Sequence, residues 1–337
     1  MKEEKQKDLS VDDVGDSSDS TKNESESKAS SKKTSPKKQP ESKGKKVPSW
    51  PDFIKNSSTS EIKYRWSQEL SKLLSESSGI TSSYCCVALM DPESSIGRYD
   101  LDRIYRALSE INTSKEKDVL LILLSGGGTI EPAYQISKLC KSFSKDKFVV
   151  TVPRHAKSAA TLIAIGADEI HMGPLGQLGP IDPQLGGLPA LGVSQALESI
   201  ASLSERFPGS SEMFARYLRL ALTVEQIGYC DRIAESAEQY AERLLSTKPS
   251  LNGKERSKAK ELVYEYKDHG FVIDFEEASQ HLGKDWILPE SPELDFSEKI
   301  YQKFDEVNLF LSVFKKQRLL VIGEVDTGVL IFDHSNQ

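Results

Sequence analysis

Two short stretches of the chain bring together residue types that can do chemistry. The first is PRHAKSAATLIAIGADEIHM (153–172), where Arg154, His155 and Lys157 precede a single serine, Ser158, and a run of small and apolar residues follows. Serine before a helix-like run is a favoured N-cap. It is equally a placement for a nucleophile, because the positive end of a helix favours negative charge developing beside it. The second stretch is LLSGGGTIEPAY (123–134), where Gly126, Gly127 and Gly128 stand between an apolar run and a helix-like run. Glycine adopts backbone torsions that other residues resist and lets another atom come close to its N–H. The phosphate-loop patterns GxxxxGK[ST] and GxGxxG are absent. A backbone donor for an oxyanion and a plain tight turn both remain open. Taken together, the stretches hold the parts for acyl transfer. Ser158 is the candidate nucleophile, the N–H groups of Gly128 and Ala159 are candidate oxyanion donors, and Gly126 and Gly127 are the supporting turn.

These residues need a frame that brings 126–128 to 158. From Tyr84 the sequence alternates between strand-like and helix-like runs. YCCVALM (84–90), DVLLILL (118–124), FVVTVP (148–153) and DEIHM (168–172) read as strands, and 101–111, 130–143 and 158–166 read as helices. Strands with few polar interruptions, separated by helices, predict an α/β fold with a mostly parallel sheet covered on both faces. The glycine turn and Ser158 then both follow the carboxyl ends of strands, where the sites of such sheets lie. Beyond Pro174 a Gly/Pro-rich stretch (174–192) predicts an ordered loop. Helical patterns follow around 193–204, 211–222, 231–246 and 254–267. HGFVIDFEEASQHLG (269–283) reads as a short strand and a helix. A helix over 296–311 and strands over 318–323 and 329–332 close the chain. The expected organisation is a tail over 1–48 and a domain over 49–337, with its core at 84–190, a helical region at 193–267 and closing elements at 269–337.

The tail has almost no large apolar side chains and carries 12 Lys against 10 acidic residues. It cannot bury enough apolar surface to offset the entropy of ordering and is expected to be disordered. The net charge of the whole chain is −7, so 49–337 carries −9 (−7 minus +2). Eight lysines between Lys28 and Lys46 form a basic run without arginine or aromatic residues. A solvated tether is favoured over contact of the basic run with nucleic acid or an anionic membrane, and without aromatic residues or arginine base stacking and groove reading are not supported. Residues 1–47 hold no apolar run of signal-peptide type, and the apolar stretches are strand-sized, so a cytoplasmic protein is expected. Cys85, Cys86, Cys140 and Cys230 show no metal-ligand spacing, and buried free thiols are expected. No cofactor and no metal is implied.

The sequence SGGGTIEPAYQI, followed by AKSAATLIAIGADEIHMGP and LGPIDPQ, resembles the Clp-protease/crotonase superfold. More closely it resembles the serine dehydrogenase proteinase (SDH) family of Clp-fold serine peptidases, relatives of signal peptide peptidase A. The resemblance covers roughly 84–190. It implies a ClpP/crotonase-like core of repeated β-β-α units with a helical appendage, a peptidase acting on peptide or unfolded protein, and assembly into homo-oligomers. It also implies a base. Clp proteases place a histidine where this chain has Gly179-Pro180-Ile181-Asp182, and signal peptide peptidases use a lysine, yet 159–247 contains no lysine. Five candidates stand. Lys157 and His155 are close in sequence to Ser158, where side chains diverge. His171 sits on a strand and suits core packing. Asp182 is near the family's histidine position, although a carboxylate is a poor base for a hydroxyl. His269 precedes the strand-helix that closes the fold and is the preferred candidate. A base from a neighbouring subunit, a non-catalytic Clp-fold assembly or binding subunit, and a crotonase-type acyl-CoA enzyme using Lys138, Lys141, Lys145 and Lys147 toward phosphates are the alternatives.

Overall fold

The computed structural model describes residues 48–185 and 188–334. The expected disordered tail, all but Pro48, lies outside them. Two uninterrupted apolar runs form the central strands, β1 (Tyr84–Asp91) and β2 (Asp118–Ser125), which are parallel and in register from Tyr84 opposite Asp118 to Asp91 opposite Ser125. β3 (Phe148–Thr151) continues the parallel pairing beside β2. β4 (His155–Ala156) is a two-residue strand that pairs with the last residue of β2, Ser125 opposite Ala156. β5 (Glu169–His171) lies beside β3, and β6 (Gln177–Leu178) beside β4. β7 (Gln184–Leu185) and β8 (Leu188–Pro189) form a separate hairpin within the stretch expected as loop. β9 (Ile287–Leu288) joins β5 in parallel. β10 (Gln317–Glu324) and β11 (Val329–Asp333) add an antiparallel edge on β1. The main path runs β11-β10-β1-β2-β3-β5-β9.

Side chains alternate across a strand, so β2 feeds two cores. Val119, Leu121 and Leu123 enter one cluster, and Leu120, Ile122 and Leu124 enter the other. Cys85 and Cys86 divide in the same way, and all four cysteines are free and buried. Three helices that the sequence did not announce come first: α1 (Trp50–Asn56), α2 (Thr59–Glu76) and α3 (Ser78–Thr81). α2 begins with a reciprocal capping box between Ser58 and Glu61, and it buries Ile62, Trp66 and Leu70. α4 (Arg98–Ile111), α5 (Ile130–Phe143) and α6 (Ala159–Ile165) cover the opposite face. The four helical patterns become α7 (Ala190–Arg206), α8 (Ser211–Ala221), α9 (Val224–Leu245) and α10 (Glu255–Lys260), the last followed by a π-helical turn over Glu261–Glu265.

The strand expected ahead of α11 (Phe275–Leu282) shortens to one antiparallel bridge, Leu178 opposite Ile273. Only that residue finds an edge, because β6 is itself two residues long. α12 (Pro292–Lys315) runs longer than expected at both ends and packs with α1–α3. Among the described residues, no helix is long and apolar enough to cross a membrane.

Candidate active site

Ser158 stands at the head of α6 with φ 52° and ψ −120°, outside the left-handed helical well and unusual for a residue with a Cβ. Such a backbone costs on the order of 1–3 kcal/mol and persists only where its surroundings hold it. The surroundings are specific. The Lys157 N–H donates to Ser125 O at 3.0 Å, tying the residue before Ser158 to the end of β2. Buried Thr161, one turn into α6, places its hydroxyl 2.7 Å from Ala156 O and 2.8 Å from Gly179 O, and it accepts the Gly179 N–H at 3.1 Å. The serine side chain does not cap the helix, so the N-cap role is not the one it plays. It is 6% exposed.

The glycine turn fits against it. Gly127, at φ 113°, comes so close that a Cβ there would lie 2.7 Å from Ser158 Cβ and 2.8 Å from Lys157 O. Gly128, at φ 155°, bridges Ile96, and a Cβ would lie 2.1 Å from Ile96 N. The bridge uses the Gly127 carbonyl with the Ile96 N–H (2.8 Å) and the Thr129 N–H with the Ile96 carbonyl (2.9 Å), leaving the Gly128 N–H out of the pairing. The Ala159 N–H is one of the donors that the first turn of any helix leaves without an intrahelical partner. Gly126 lacks such a constraint. A Cβ there would meet Pro92 O at an ordinary 3.5 Å.

Ser158, Gly126, Gly127 and Gly128 line one cavity of about 510 Å³, and so does His269. Its other walls include Glu93 and Ser94 after β1, and Tyr229 and Ile233 from α9. The His269 Nδ1 lies 3.5 Å from Asp182 Oδ2, with the carboxylate nine-tenths buried. Asp182 Oδ1 and His269 Nδ1 are both buried without a hydrogen-bond partner. The loop that carries His269 is pinned to the sheet by reciprocal bonds between Leu178 and Ile273 (2.9 and 3.1 Å).

The other candidates are accounted for elsewhere. Lys157 aims its ammonium at the Phe271 and Gly270 carbonyls, 2.7 and 3.4 Å away. Burial holds its pKa below the ordinary lysine value, with Asp268 opposing that shift. His155, on β4, is not in the cavity wall, and burial lowers its pKa, with Lys157 adding to the effect. His171 is 2% exposed, and its Nδ1 lies 2.7 Å from Ser291 Oγ at the start of α12, on the sheet face opposite α6. Lys141 and Lys147 pair with Asp168 and Glu169. Tyr229 and Ile233 carry no sequence signal for this site, since only the packing of α9 brings them here. Among the described residues, no group of three or more His, Cys, Asp or Glu could hold a metal ion.

Residues 95–203 match the family described as ClpP-like SDH-type serine proteinase. That segment contains the glycine turn, Ser158, Ala159 and Asp182, and it ends before His269. Two curated Methanocaldococcus jannaschii proteins match part of the chain. MJ0137 is 40% identical over 99 residues, 29% of this chain and 34% of the relative. MJ1495 is 36% identical over 97 residues, 29% of this chain and 32% of the relative. The aligned part thus spans about a third of these curated relatives. Among solved structures, a 1510-N membrane-bound stomatin-specific protease in complex with a substrate peptide aligns over 66% of this chain and 80% of its own, with 17% identity and a TM-score of 0.41. ClpP1 from Listeria monocytogenes aligns over 67% and 98%, with 14% identity and a TM-score of 0.38.

Proposed function

We propose that this protein is a serine peptidase that cleaves peptide bonds through an acyl-enzyme on Ser158, with His269 as general base and Asp182 orienting it. The observation that carries the reading is the shared cavity. It joins a serine held in a strained, non-capping pose to a histidine whose Nδ1 faces a buried carboxylate 3.5 Å away. With Nδ1–H directed to Asp182, Nε2 is left to accept a proton.

The Ser158 hydroxyl adds to the substrate carbonyl carbon while its proton passes to His269 Nε2. The carbonyl oxygen becomes an oxyanion, for which the Gly128 and Ala159 N–H groups are the donors. The C–N bond then breaks, the leaving amine takes the proton from His269, and an ester to Ser158 remains. Water, deprotonated by the same imidazole, hydrolyses that ester and regenerates the serine. Each step uses groups of the chain, substrate and water alone. The substrate class is a peptide or unfolded polypeptide, and assembly with copies of the same chain is part of the proposal, checked by light scattering on the purified protein.

A fluorophosphonate probe tests the chemistry, because it traps an activated serine. Wild type should label, and Ser158→Ala and His269→Ala should not. Labelling that survives Ser158→Ala refutes the nucleophile, and labelling that survives His269→Ala refutes the base. A folded wild type that never labels favours a non-catalytic binding subunit.

A further inference from the structure

Lys157 adjoins the nucleophile, yet its main chain and side chain serve two different structures. Its N–H is bonded to the end of β2 and its carbonyl accepts the Ala160 N–H at 2.9 Å, so its backbone belongs to the serine turn. Its side chain leaves in another direction and crosses Gly179, where a Cβ would sit 2.5 Å from Lys157 Cδ. Only a residue without a side chain leaves that path open. The ammonium ends on the Phe271 carbonyl at 2.7 Å, with the Gly270 carbonyl at 3.4 Å. These are the two residues that follow His269.

The His269 segment folds on itself through a turn in which the Phe271 N–H donates to Asp268 O (3.0 Å) and the Gly270 N–H donates to Asp268 Oδ1 (3.1 Å). The Tyr266 and Phe271 rings pack at 4.8 Å. None of these contacts reaches the serine turn. The Leu178–Ile273 bridge holds the far end of the segment to β6, and the Lys157 side chain holds its near end to the residue beside Ser158. Charged groups around the ammonium are Asp268, which acts on it electrostatically, and His155, whose own charged form it disfavours.

We propose that Lys157 is a positioning residue, a strut from the nucleophile turn to the His269 turn that sets where the imidazole stands relative to the serine hydroxyl. The ammonium donates to carbonyls in this role and takes no proton from substrate or serine. The inference rests on the Ser158–His269 reading for its catalytic consequence, while the strut itself is independent of it.

Arginine separates the two roles, because a guanidinium donates to carbonyls but stays protonated and cannot act as a base. Two measurements on the full chain are needed, fluorophosphonate labelling rate against pH and amide hydrogen exchange over 268–273. Lys157→Met should slow labelling by roughly 10²-fold, the scale of an ångström misplacement. It should also speed exchange in 268–273 by roughly tenfold or more, as expected for a lost charged hydrogen bond. Lys157→Arg should recover both to within about tenfold of wild type, with the pH midpoint of labelling unchanged. The proposal is overturned if Lys157→Met labels and exchanges like wild type. It is also overturned if Lys157→Arg is as inactive as Lys157→Met while keeping wild-type exchange, which would make lysine the base. If wild type does not label, the peptidase reading fails and exchange alone decides the strut: faster exchange in Lys157→Met upholds it, and unchanged exchange ends it.

Discussion

Replacing Gly127 with alanine tests whether the glycine turn shapes the serine site. The new Cβ would stand 2.7 Å from Ser158 Cβ, 2.8 Å from Lys157 O and 3.2 Å from Ala159 N. Ordinary contact begins near 3.4 Å, so the serine or the turn must yield by about 0.7 Å, the difference between those two distances. Neither is free to do so, since the Lys157 N–H is bonded to Ser125 O and the Gly127 carbonyl to the Ile96 N–H. The backbone at φ 113° adds a further cost of about 1–3 kcal/mol for a residue with a side chain. Gly127→Ala should therefore lower global stability by a few kcal/mol at most and still fold, while fluorophosphonate labelling falls by roughly 10²-fold. Gly126→Ala is the comparison, because its Cβ meets only Pro92 O at 3.5 Å; it should lose less than about tenfold. The assay is labelling rate beside a urea unfolding curve for each variant. Equal labelling of Gly127→Ala and wild type would show that the turn does not set the serine geometry.

Three further outcomes are expected. Asp182→Asn should slow labelling by roughly 10²–10⁴-fold with little change in unfolding midpoint, and a wild-type rate would remove the carboxylate from the site. Lys248 is buried against the Ala167 carbonyl at the end of α6, and burial pushes its pKa down to about 8. Its stability contribution is present above the unfolded value of 10.5 and lost as pH falls through about 8; the unfolding free energy of wild type minus that of Lys248→Met should thus rise by about 3 kcal/mol across that window. Parallel curves for the two proteins would contradict the shift. Trp66, fully buried on α2 with its indole N–H donating to Val325 O at 3.2 Å, should cost about 3–5 kcal/mol when replaced by alanine, measured by urea unfolding. A loss below about 1 kcal/mol would mean that α2 is not part of the cooperative core.

The elements around the site were legible because their signals are local. An apolar run such as DVLLILL has one low-energy fate when both of its faces are covered, and IEPAYQISKLCKSF repeats its apolar positions at helical spacing over the whole of α5. α1 and α2 were not announced because their apolar residues, Trp50, Ile54, Ile62, Trp66 and Leu70, are spread among many charged and polar ones. Their burial depends on the sheet face and α12 that they meet. The strand expected after His269 shrank to one bridge for a similar reason, since a strand needs an edge to pair with and β6 offers two residues.

The sequence by itself singled out Ser158 as a candidate nucleophile together with its glycine turn, because both are short, contiguous and carried by backbone demands that glycine and a helix start impose locally. It also named His269 and Asp182, without a reason to join them across 86 intervening positions. Only the tertiary structure decided that the two face each other at 3.5 Å, that His269 shares the cavity of Ser158, and that Lys157 reaches for carbonyls. Those are distances between segments remote in sequence. They are set by how β6, α6 and the 268–273 turn pack together, and no local pattern encodes them.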